Sequence, residues 1–400
     1  MVLPSQNNNP IQSCRYNERL VLHLLRVSPH ASKAVLARTS GLTAAAIGGI
    51  IASLSKKGLV MEAGKRQGDL GQPATLLKLC PDGAFGIGVS INRGSIETIL
   101  MNFEGKKVAG YSHDIILPEP EAVLKLVLAD IKKLLKTAAK NKQDKIAGIG
   151  IAQPYHLGSW RTGNADWIPW DTYDLASNLS KKTGMTCLKG NDGTAAAGAE
   201  LVYGLGNTEQ DFIYFYFGPP LVKSLGGGVV IDGKCRIGST GNAGDIGLIP
   251  VAKSKLASCK PDKQYGTLLT DRASINSLVL YLQHQGCKIT SNAEFEDAVE
   301  NNKKYVQQWL EDCLNALEQA VSSIQSVLDI PLIVINGDNE NSNLIDSIIN
   351  MLNSRLTQVS NESRPMPEIK RGSFGSDAAA IGAATMPLDS YFSPNQSTAK

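Results

Sequence analysis

Residues 222–248, VKSLGGGVVIDGKCRIGSTGNAGDIGL, constrain the fold of this chain more than any other segment does. Eight of these 27 residues are glycine, which excludes a helix, and their irregular spacing differs from that of a flexible linker. Gly226-Gly227-Gly228 leads into the β-prone run 229–231, and Asp232-Gly233 predicts a tight hairpin turn. Further glycines follow at short spacings, as they do where a backbone passes close to a ligand.

The composition indicates a globular protein of two or three domains, with 400 residues of which 42% are hydrophobic and 19% are charged. No apolar run is long enough to predict a transmembrane helix, and the polar N-terminus does not resemble a secretory signal. The seven cysteines are odd in number and form no C-x-x-C pair, which is typical of reduced thiols. We therefore predict a cytoplasmic localisation, with no membrane partner.

The net charge of +3 is unevenly distributed along the chain. Residues 1–80 carry 10 Lys and Arg against 3 Asp and Glu, whereas the rest of the chain carries 30 against 34. A basic head on a mildly acidic body is expected of a nucleic-acid-binding module joined to another domain. A chance fluctuation of surface charge is the alternative.

The basic head has the pattern of a winged helix-turn-helix domain, which we place at residues 1–80. A helix with one apolar face at 17–27 precedes a short helix capped by Ser32, and a third helix is capped by Thr43. Strand-like runs at 59–61 and 75–79, joined by a basic glycine-rich loop, form the predicted wing.

The predicted recognition helix begins with three alanines, so it offers almost no side chain that hydrogen-bonds to base edges. Alanine can contact thymine methyl groups, while neighbouring cations and hydroxyls hold phosphates. A double-stranded DNA operator is the expected partner, and a helical protein-binding module is the alternative. The candidate DNA-binding residues are Lys33, Arg38, Thr43, Ala44, Ala45, Lys56, Lys65 and Arg66.

The body repeats an order of strands and helices that opens actin-like folds. The chain is therefore predicted to be an α/β protein, a winged helix-turn-helix followed by a two-lobed actin-like (ribonuclease H-like) ATPase fold. Ligands of such folds bind in the cleft between lobes. The predicted strands are 86–91, 96–103, 107–116, 146–152, 212–217, 226–231 and 331–337. The first lobe is expected at 81–190 plus 377–400, and the second, with the oligomerisation helices, at 191–376.

These landmarks, taken in order, resemble the ROK family, which contains sugar kinases and related transcriptional repressors. The resemblance spans nearly the whole chain. It rests on residues 222–248, on the run KGNDGTAAAGAE at 189–200, and on Gly244-Asp245-Ile246-Gly247-Leu248, where the family has Gly-Glu-Ile-Gly-His. It implies a DNA-binding regulator, expected to be a repressor, whose kinase-like body senses a sugar or related ligand and forms a homodimer or homotetramer.

The same resemblance implies that the kinase chemistry is lost. The kinases' Asp-Ile-Gly-Gly-Thr phosphate turn reads Ser90-Ile91-Asn92-Arg93-Gly94 here, where Arg93 is interpreted as a charged turn or, alternatively, an anion contact. Lys223 lies in the altered second phosphate loop and is interpreted as solvated. The family's zinc site needs a His and three Cys, but Leu248 replaces the His and Cys259 stands alone. We therefore predict no cofactor, no metal and no kinase activity.

The candidate ligand site consists of the sugar contacts that the resemblance leaves. Asp192 matches the kinases' base, although it is also a candidate helix cap. Asp245 shortens a family Glu, and Thr270 replaces a second one. The family's sugar-contacting amide corresponds to either Asn164 or Asp166. Both lie beside two tryptophans that pack either on a ligand or in the core. The candidate ligand-binding residues are Asn191, Asp192, Asp245, Asn164 and Asp166.

The expected mechanism is that a ligand near Asn191, Asp192 and Asp245 closes the lobes, respaces the reading heads of the dimer and weakens the operator complex. Two alternatives stay open. The body is a protein-interaction platform that binds no small ligand, or the chain is a sugar kinase with an added N-terminal module.

Overall fold

The computed structural model describes residues 14–66, 74–137, 140–155, 157–158, 165–337, 342–360 and 363–394. The chain divides into two compact units. The first contains the residues up to Tyr203 and those from Ala379 onward, and the second is Gly204–Ala378. The basic head therefore shares one unit with the first half of the body.

The head has the element order of a winged helix-turn-helix. Ser32 Oγ accepts a hydrogen bond from the Val35 amide at 3.3 Å, and Thr43 Oγ1 accepts one from the Ala46 amide at 3.2 Å, so both predicted caps are confirmed. The elements are α1 (Tyr16–Val27), β1 (Ala31–Ser32), α2 (Lys33–Ser40), α3 (Ala44–Lys56), β2 (Val60–Arg66) and β3 (Ala74–Leu79), with the sheet order β1-β3-β2.

The wing differs from the sequence prediction at its start. The strand predicted at 59–61 continues as β2 to Arg66, so the basic pair Lys65-Arg66 lies in a strand and not in a loop. The pairing with β3 shifts register between Glu62 and Lys65, which accommodates Gly64 at φ +108°. Polar residues and a glycine near the bulge interrupt the apolar pattern, so the sequence did not predict this part of the strand. The rest of the predicted loop, 67–73, lies outside the described residues.

The first unit also contains a five-stranded mixed sheet in the order β6-β5-β4-β7-β8. Strands β4, β5 and β6 are antiparallel, whereas β4, β7 and β8 run parallel, so the carboxyl ends of these three strands lie at one edge of the sheet. Its strands are Phe85–Ile91, Ile96–Asn102, Lys107–His113, Ile146–Gln153 and Cys187–Asn191, numbered β4 to β8. Its helices are α4 (Pro120–Thr137), α5 (Leu175–Thr183), α6 (Asp192–Tyr203) and the last helix of the chain, Ala378–Phe392.

The second unit repeats the plan with the strand order β11-β10-β9-β12-β13. A large apolar core packs its helices against this sheet, around the fully buried Trp309 and Phe215. The strands are β9 (Phe212–Phe217), β10 (Leu225–Ile231), β11 (Lys234–Arg236), β12 (Leu332–Gly337) and β13 (Glu368–Arg371). The helices are α7 (Leu269–Ala273), α8 (Ile275–His284), α9 (Asn292–Asn301), α10 (Lys303–Leu328) and α11 (Ser342–Val359), so Ala378–Phe392 is α12.

The glycine-rich segment forms the predicted hairpin. Asp232 and Gly233 have φ values of +56° and +64° between the paired residues Ile231 and Lys234, as in a type I′ turn. Beyond the hairpin, the chain folds back on its own strand. A β-carbon at Gly244 would lie 2.7 Å from the Gly228 α-carbon. This glycine therefore serves close packing of the chain against itself, not the predicted approach to a ligand.

Within the described residues, no helix alone combines the length and the apolar composition needed to cross a membrane. Only α2 and α3 taken together pass that test, and they are bent by 115° relative to each other.

Candidate functional site

Polar side chains gather where the three parallel strands of the first unit end. Arg93 follows β4, Gln153 is the last residue of β7, and Asn191 is the last residue of β8. Gln153 and Asn191 are direct partners in the strand register, and Gln153 is 6% exposed. The carboxyl edge of parallel strands is where open α/β sheets bind ligands. Gln153 was not a sequence candidate, because a polar residue closing an apolar run carries no motif of its own.

Asn191 and Asp192 lie where β8 passes directly into α6. Asn191 Oδ1 accepts a hydrogen bond from the Thr194 amide at 3.1 Å, so Asn191 caps the helix. This capping role had been the alternative assignment for Asp192. Asp192 is instead the first helical residue, half-buried, with Oδ1 2.9 Å from the Gly193 amide. A carboxylate there is stabilised by the helix dipole and is suited to accept hydroxyl hydrogen bonds.

Arg93 is half-buried in the turn between β4 and β5 and is anchored to protein. Its Nε donates to the Leu157 carbonyl at 3.2 Å, and its own carbonyl accepts from the Leu117 amide at 2.9 Å. Burial lowers the pKa of the guanidinium, while the charges of Asp192 and Asp171 act in the opposite direction. The predicted charged turn is therefore present, and the charge of Arg93 interacts with that of Asp192 at the start of α6.

The tryptophan segment packs on protein through both of its indole rings. Trp170 is 2% exposed and its Nε1 donates to the Pro118 carbonyl at 2.9 Å, while Trp167 Nε1 donates to the Leu117 carbonyl at 3.0 Å. Asp166 is exposed at the start of this short helical segment, and Asn164 lies outside the described residues. The geometry thus favours the core role of the tryptophans over ligand stacking.

Asp245 belongs to the second unit, whereas the residues at the ends of β4, β7 and β8 belong to the first. It is half-buried, precedes a short helical turn, and accepts a hydrogen bond from Asn242 Nδ2 at 3.1 Å. Thr270 is buried in α7. The next residue, Asp271, is an acid that was not among the sequence candidates. Asp271 Oδ1 accepts from Lys223 Nζ, so Lys223 is paired and not simply solvated as predicted.

A buried ion pair anchors the segment that corresponds to the family's zinc-binding region. Arg272 and Asp312 are 5% and 8% exposed, and two guanidinium nitrogens donate to the Asp312 carboxylate at 2.8 and 3.0 Å. Arg272 also donates to the Ala252 carbonyl, and Ser254 Oγ donates to Asp312 at 2.9 Å. Sequence analysis missed this network, because its members lie 40 and 58 residues apart.

The zinc implied by the family does not fit these residues. Leu248 supplies no ligand atom, and the neighbours of Cys259 are the paired charges of Asp271, Asp312, Arg272 and Lys223. Burial raises the pKa of the Cys259 thiol, which disfavours the thiolate that zinc requires. Across the described ranges, no group of three or more His, Cys, Asp and Glu side chains is arranged to hold a metal ion.

The candidate DNA-binding residues lie on exposed parts of the head. Lys33, Arg38 and Lys56 are exposed on α2 and α3, and Thr43 precedes the exposed residues Ala44 and Ala45 at the start of α3. Lys65 is exposed on β2, and Arg66 ends that strand. The start of α3 is thus uncharged and exposed, and exposed cations lie on α2, on β2 and at the end of α3.

The chain belongs to the ROK family, whose model matches residues 86–389. Its mixed α/β units share the actin-like fold of that family. Residues 1–85 lie outside the matched range, so the head is an addition to the family domain.

Relatives of full length share this addition. The chain is 24% identical over 396 residues to the xylose repressor of Bacillus spizizenii, covering 94% of this chain and 96% of the relative. A solved ROK family transcriptional regulator, described as a homologue of the Escherichia coli Mlc protein, aligns with TM-score 0.68 and 19% identity over 96% of this chain and 98% of its own. A glucokinase from Streptomyces griseus, solved with glucose and AMPPNP, aligns with TM-score 0.59 and 20% identity over 76% and 99%.

Proposed function

We propose that this protein is a cytoplasmic, DNA-binding ROK regulator, a repressor, whose body binds a sugar or related ligand and is not a kinase. The observation that carries the proposal is similarity along almost the entire chain, head included, to a xylose repressor and a ROK regulator. The glucokinase covers only 76% of the chain. Homodimerisation or homotetramerisation is part of the proposal, because paired half-sites on DNA require paired heads.

The head is proposed to hold the DNA backbone with Lys33, Arg38, Thr43, Lys56, Lys65 and Arg66. Ala44 and Ala45 are proposed to contact thymine methyl groups in the major groove. Exposed cations beside an uncharged helix start support this arrangement, since phosphate contacts supply most of the affinity and fix the register. Sequence preference is then expected to depend on groove shape and methyl groups.

A mobility-shift titration tests DNA binding with duplex from the region upstream of the protein's own gene. Replacing Lys33, Arg38 and Lys56 with Ala should weaken binding and reduce the slope of affinity against salt by about one for each phosphate contact removed. The matched control replaces Lys303 and Lys304, exposed on α10 of the second unit, and should leave binding unchanged. Absence of binding at low salt would instead favour a protein-binding head.

The ligand site is proposed at the carboxyl ends of β4, β7 and β8. Asp192 accepts hydroxyl hydrogen bonds, while Arg93 and the amides of Asn191 and Gln153 donate to ligand oxygens. These four polar groups lie in or just after three adjacent strands, and they support a polyol more than a purely apolar ligand. Asp166, Asn164 and, in the second unit, Asp245 remain proposed contacts of smaller weight.

Thermal-shift screening of sugars, amino sugars and sugar phosphates tests sensing, beginning with D-xylose because a full-length relative is named a xylose repressor. A stabilising sugar whose effect disappears in Asp192→Ala supports the site. No stabilisation across the panel favours the ligand-free interaction platform. ATP consumption with the same panel tests the kinase alternative, and turnover would overturn the non-enzymatic assignment.

A further inference from the structure

Helix α6 connects the candidate ligand site to the head of the same unit. Its first residue is Asp192 and its last is Tyr203, and its 12 residues span about 18 Å. Most of the helix is buried. Gly382 of α12 packs so closely on it that a β-carbon at that glycine would lie 1.8 Å from the Ala195 carbonyl oxygen. Such backbone-to-backbone packing favours movement of α6 and α12 as one rigid body.

The far end of α6 meets helix α1 of the head. The Arg26 guanidinium lies 5.2 Å from the centre of the Tyr203 ring and 5.7 Å from that of Phe103, and Arg26 is 9% exposed. Phe103 in turn packs on Phe392 at the end of α12, with ring centres 4.7 Å apart. We call Arg26, Tyr203, Phe103 and Phe392 the head joint.

The head joint is held by ring packing and cation–π attraction. Within the part of the chain that the structure describes, Arg26 Nε and Tyr203 Oη are buried and have no hydrogen-bond partner among protein atoms. Ring packing and cation–π attraction tolerate sliding that a directional hydrogen bond does not, so this joint can shift without breaking a hydrogen bond at these two atoms.

Movement at Arg26 extends to the recognition helix because α1 is tied to α3. Arg26 lies in the last turn of α1, and Glu18 lies in its first turn. Glu18 accepts hydrogen bonds from Ser53 Oγ at 2.7 Å and from Lys57 Nζ at 2.9 Å, both near the end of α3. A contiguous set of packed and bonded groups therefore runs from Asp192 to α3.

One end of the head joint coincides with the point where the chain leaves the first unit. The chain leaves that unit directly after Tyr203 and returns to it at Ala379, near the start of α12. Phe392 of the head joint is at the opposite end of α12, so only the exit after Tyr203 lies at the joint.

We propose that the Arg26–Tyr203 contact transmits ligand occupancy at Asn191 and Asp192 to the recognition helix α3. The roles of Asn191 and Asp192 in ligand binding and of α3 in DNA binding rest on the proposed function. The contacts between these two sites are observed independently of it. Tyr203 and Arg26 act here as positioning residues, since neither belongs to the proposed ligand or DNA contacts. The physical requirement is a two-state element that both ends bias.

Amide hydrogen exchange of the full-length protein tests the joint, followed in residues 16–27 and 44–57 with and without saturating D-xylose. The variants are Arg26→Met, which removes the cation but keeps an apolar chain, and Tyr203→Phe, which removes only the unpaired hydroxyl. D-xylose should change exchange at 44–57 by about threefold or more in the wild type and in Tyr203→Phe. The change should fall below about 1.5-fold in Arg26→Met, with D-xylose affinity kept within about twofold.

An equal response in the wild type and Arg26→Met would overturn the proposal. So would a wild-type response confined to the start of α6. If D-xylose does not bind, xylose is not the effector. The role of the head joint is then tested with Asp192→Ala in the absence of sugar. That substitution should alter exchange at 44–57 only while Arg26 is present, and an additive double variant overturns the joint. If Arg26→Met does not fold, Arg26→Lys replaces it, and an intermediate response is expected.

Discussion

The two units use their charged residues in different ways on the same sheet plan. In the first unit, Arg93 and Asp192 lie at the open carboxyl ends of parallel strands. In the second unit, Lys223 pairs with Asp271, and the buried Arg272 pairs with Asp312. The first arrangement leaves polar groups at a strand edge, whereas the second connects distant segments of one core. The same sheet plan therefore places charges at strand ends in one unit and in internal ion pairs in the other.

The largest expected effect concerns the Arg272–Asp312 pair. Asp312→Ala leaves a buried guanidinium uncompensated and should reduce the free energy of unfolding by about 3–5 kcal/mol. Chemical denaturation measures this loss, and a metal chelator should not reproduce it. The matched control is Glu300→Ala, which breaks the exposed Lys303–Glu300 pair and should cost less than about 1 kcal/mol. Equal losses in both variants would remove the distinction between cross-linking and surface charges.

The next effect separates the acids of the two units. Asp192→Ala should weaken binding of a panel sugar by about 10- to 100-fold, because a charged hydrogen bond to a hydroxyl is lost. Asp245→Ala should weaken it by less than about threefold, since Asn242 already bonds that carboxylate. Calorimetric titration of both variants measures the difference. A larger loss in the Asp245 variant would reverse the comparison.

A smaller effect is expected at Arg93. Arg93→Met should weaken sugar binding by about tenfold, while Arg93→Lys keeps the charge but loses the fork of donors and should recover part of the affinity. Thermal unfolding of both variants measures the structural contribution of the side chain, because Arg93 Nε also donates to the Leu157 carbonyl. Unchanged sugar affinity in both variants would identify Arg93 as part of a structural turn.

The smallest effect is expected for the ion pair between Glu18 and Lys57, which connects α1 to the end of α3 in the first unit. Burial alone would raise the pKa of Glu18, but hydrogen bonds from Lys57 and Ser53 lower it overall. A lowered folded-state pKa stabilises the head above the unfolded value of about 4.3, and this stabilisation is lost as the pH falls through the folded-state pKa. Glu18→Gln should therefore be less stable than the wild type by about 1–2 kcal/mol at pH 7. Thermal unfolding should show this deficit disappearing in acid.

Much of the architecture was readable from local pattern. The apolar runs predicted seven of the ten strands of the two five-stranded sheets, all except β8, β11 and β13. Asp232-Gly233 predicted a turn that the φ angles confirm. Ser32 and Thr43 predicted two helix starts, because capping is a contact between residues three apart. The family resemblance was also correct, since it rests on the order of motifs along the chain.

Pattern reading failed where a role depends on a distant partner. Lys223 in isolation suggested a solvated lysine, and only the fold brings it to Asp271, 48 residues away. The glycines after the hairpin suggested a ligand approach, yet Gly244 meets the chain's own strand. Gln153 had no motif and becomes a site candidate only through its register with Asn191.

The sequence by itself determined most of the elements, their order and the family, because helix periodicity, caps and turns are interactions within a few residues. Only the tertiary structure decided which polar groups meet. It gathered Arg93, Gln153 and Asn191 at one sheet edge, paired Arg272 with Asp312, and placed Arg26 of the head against Tyr203. Such contacts depend on strand order and helix packing, and neither leaves a local mark in the residues that they bring together.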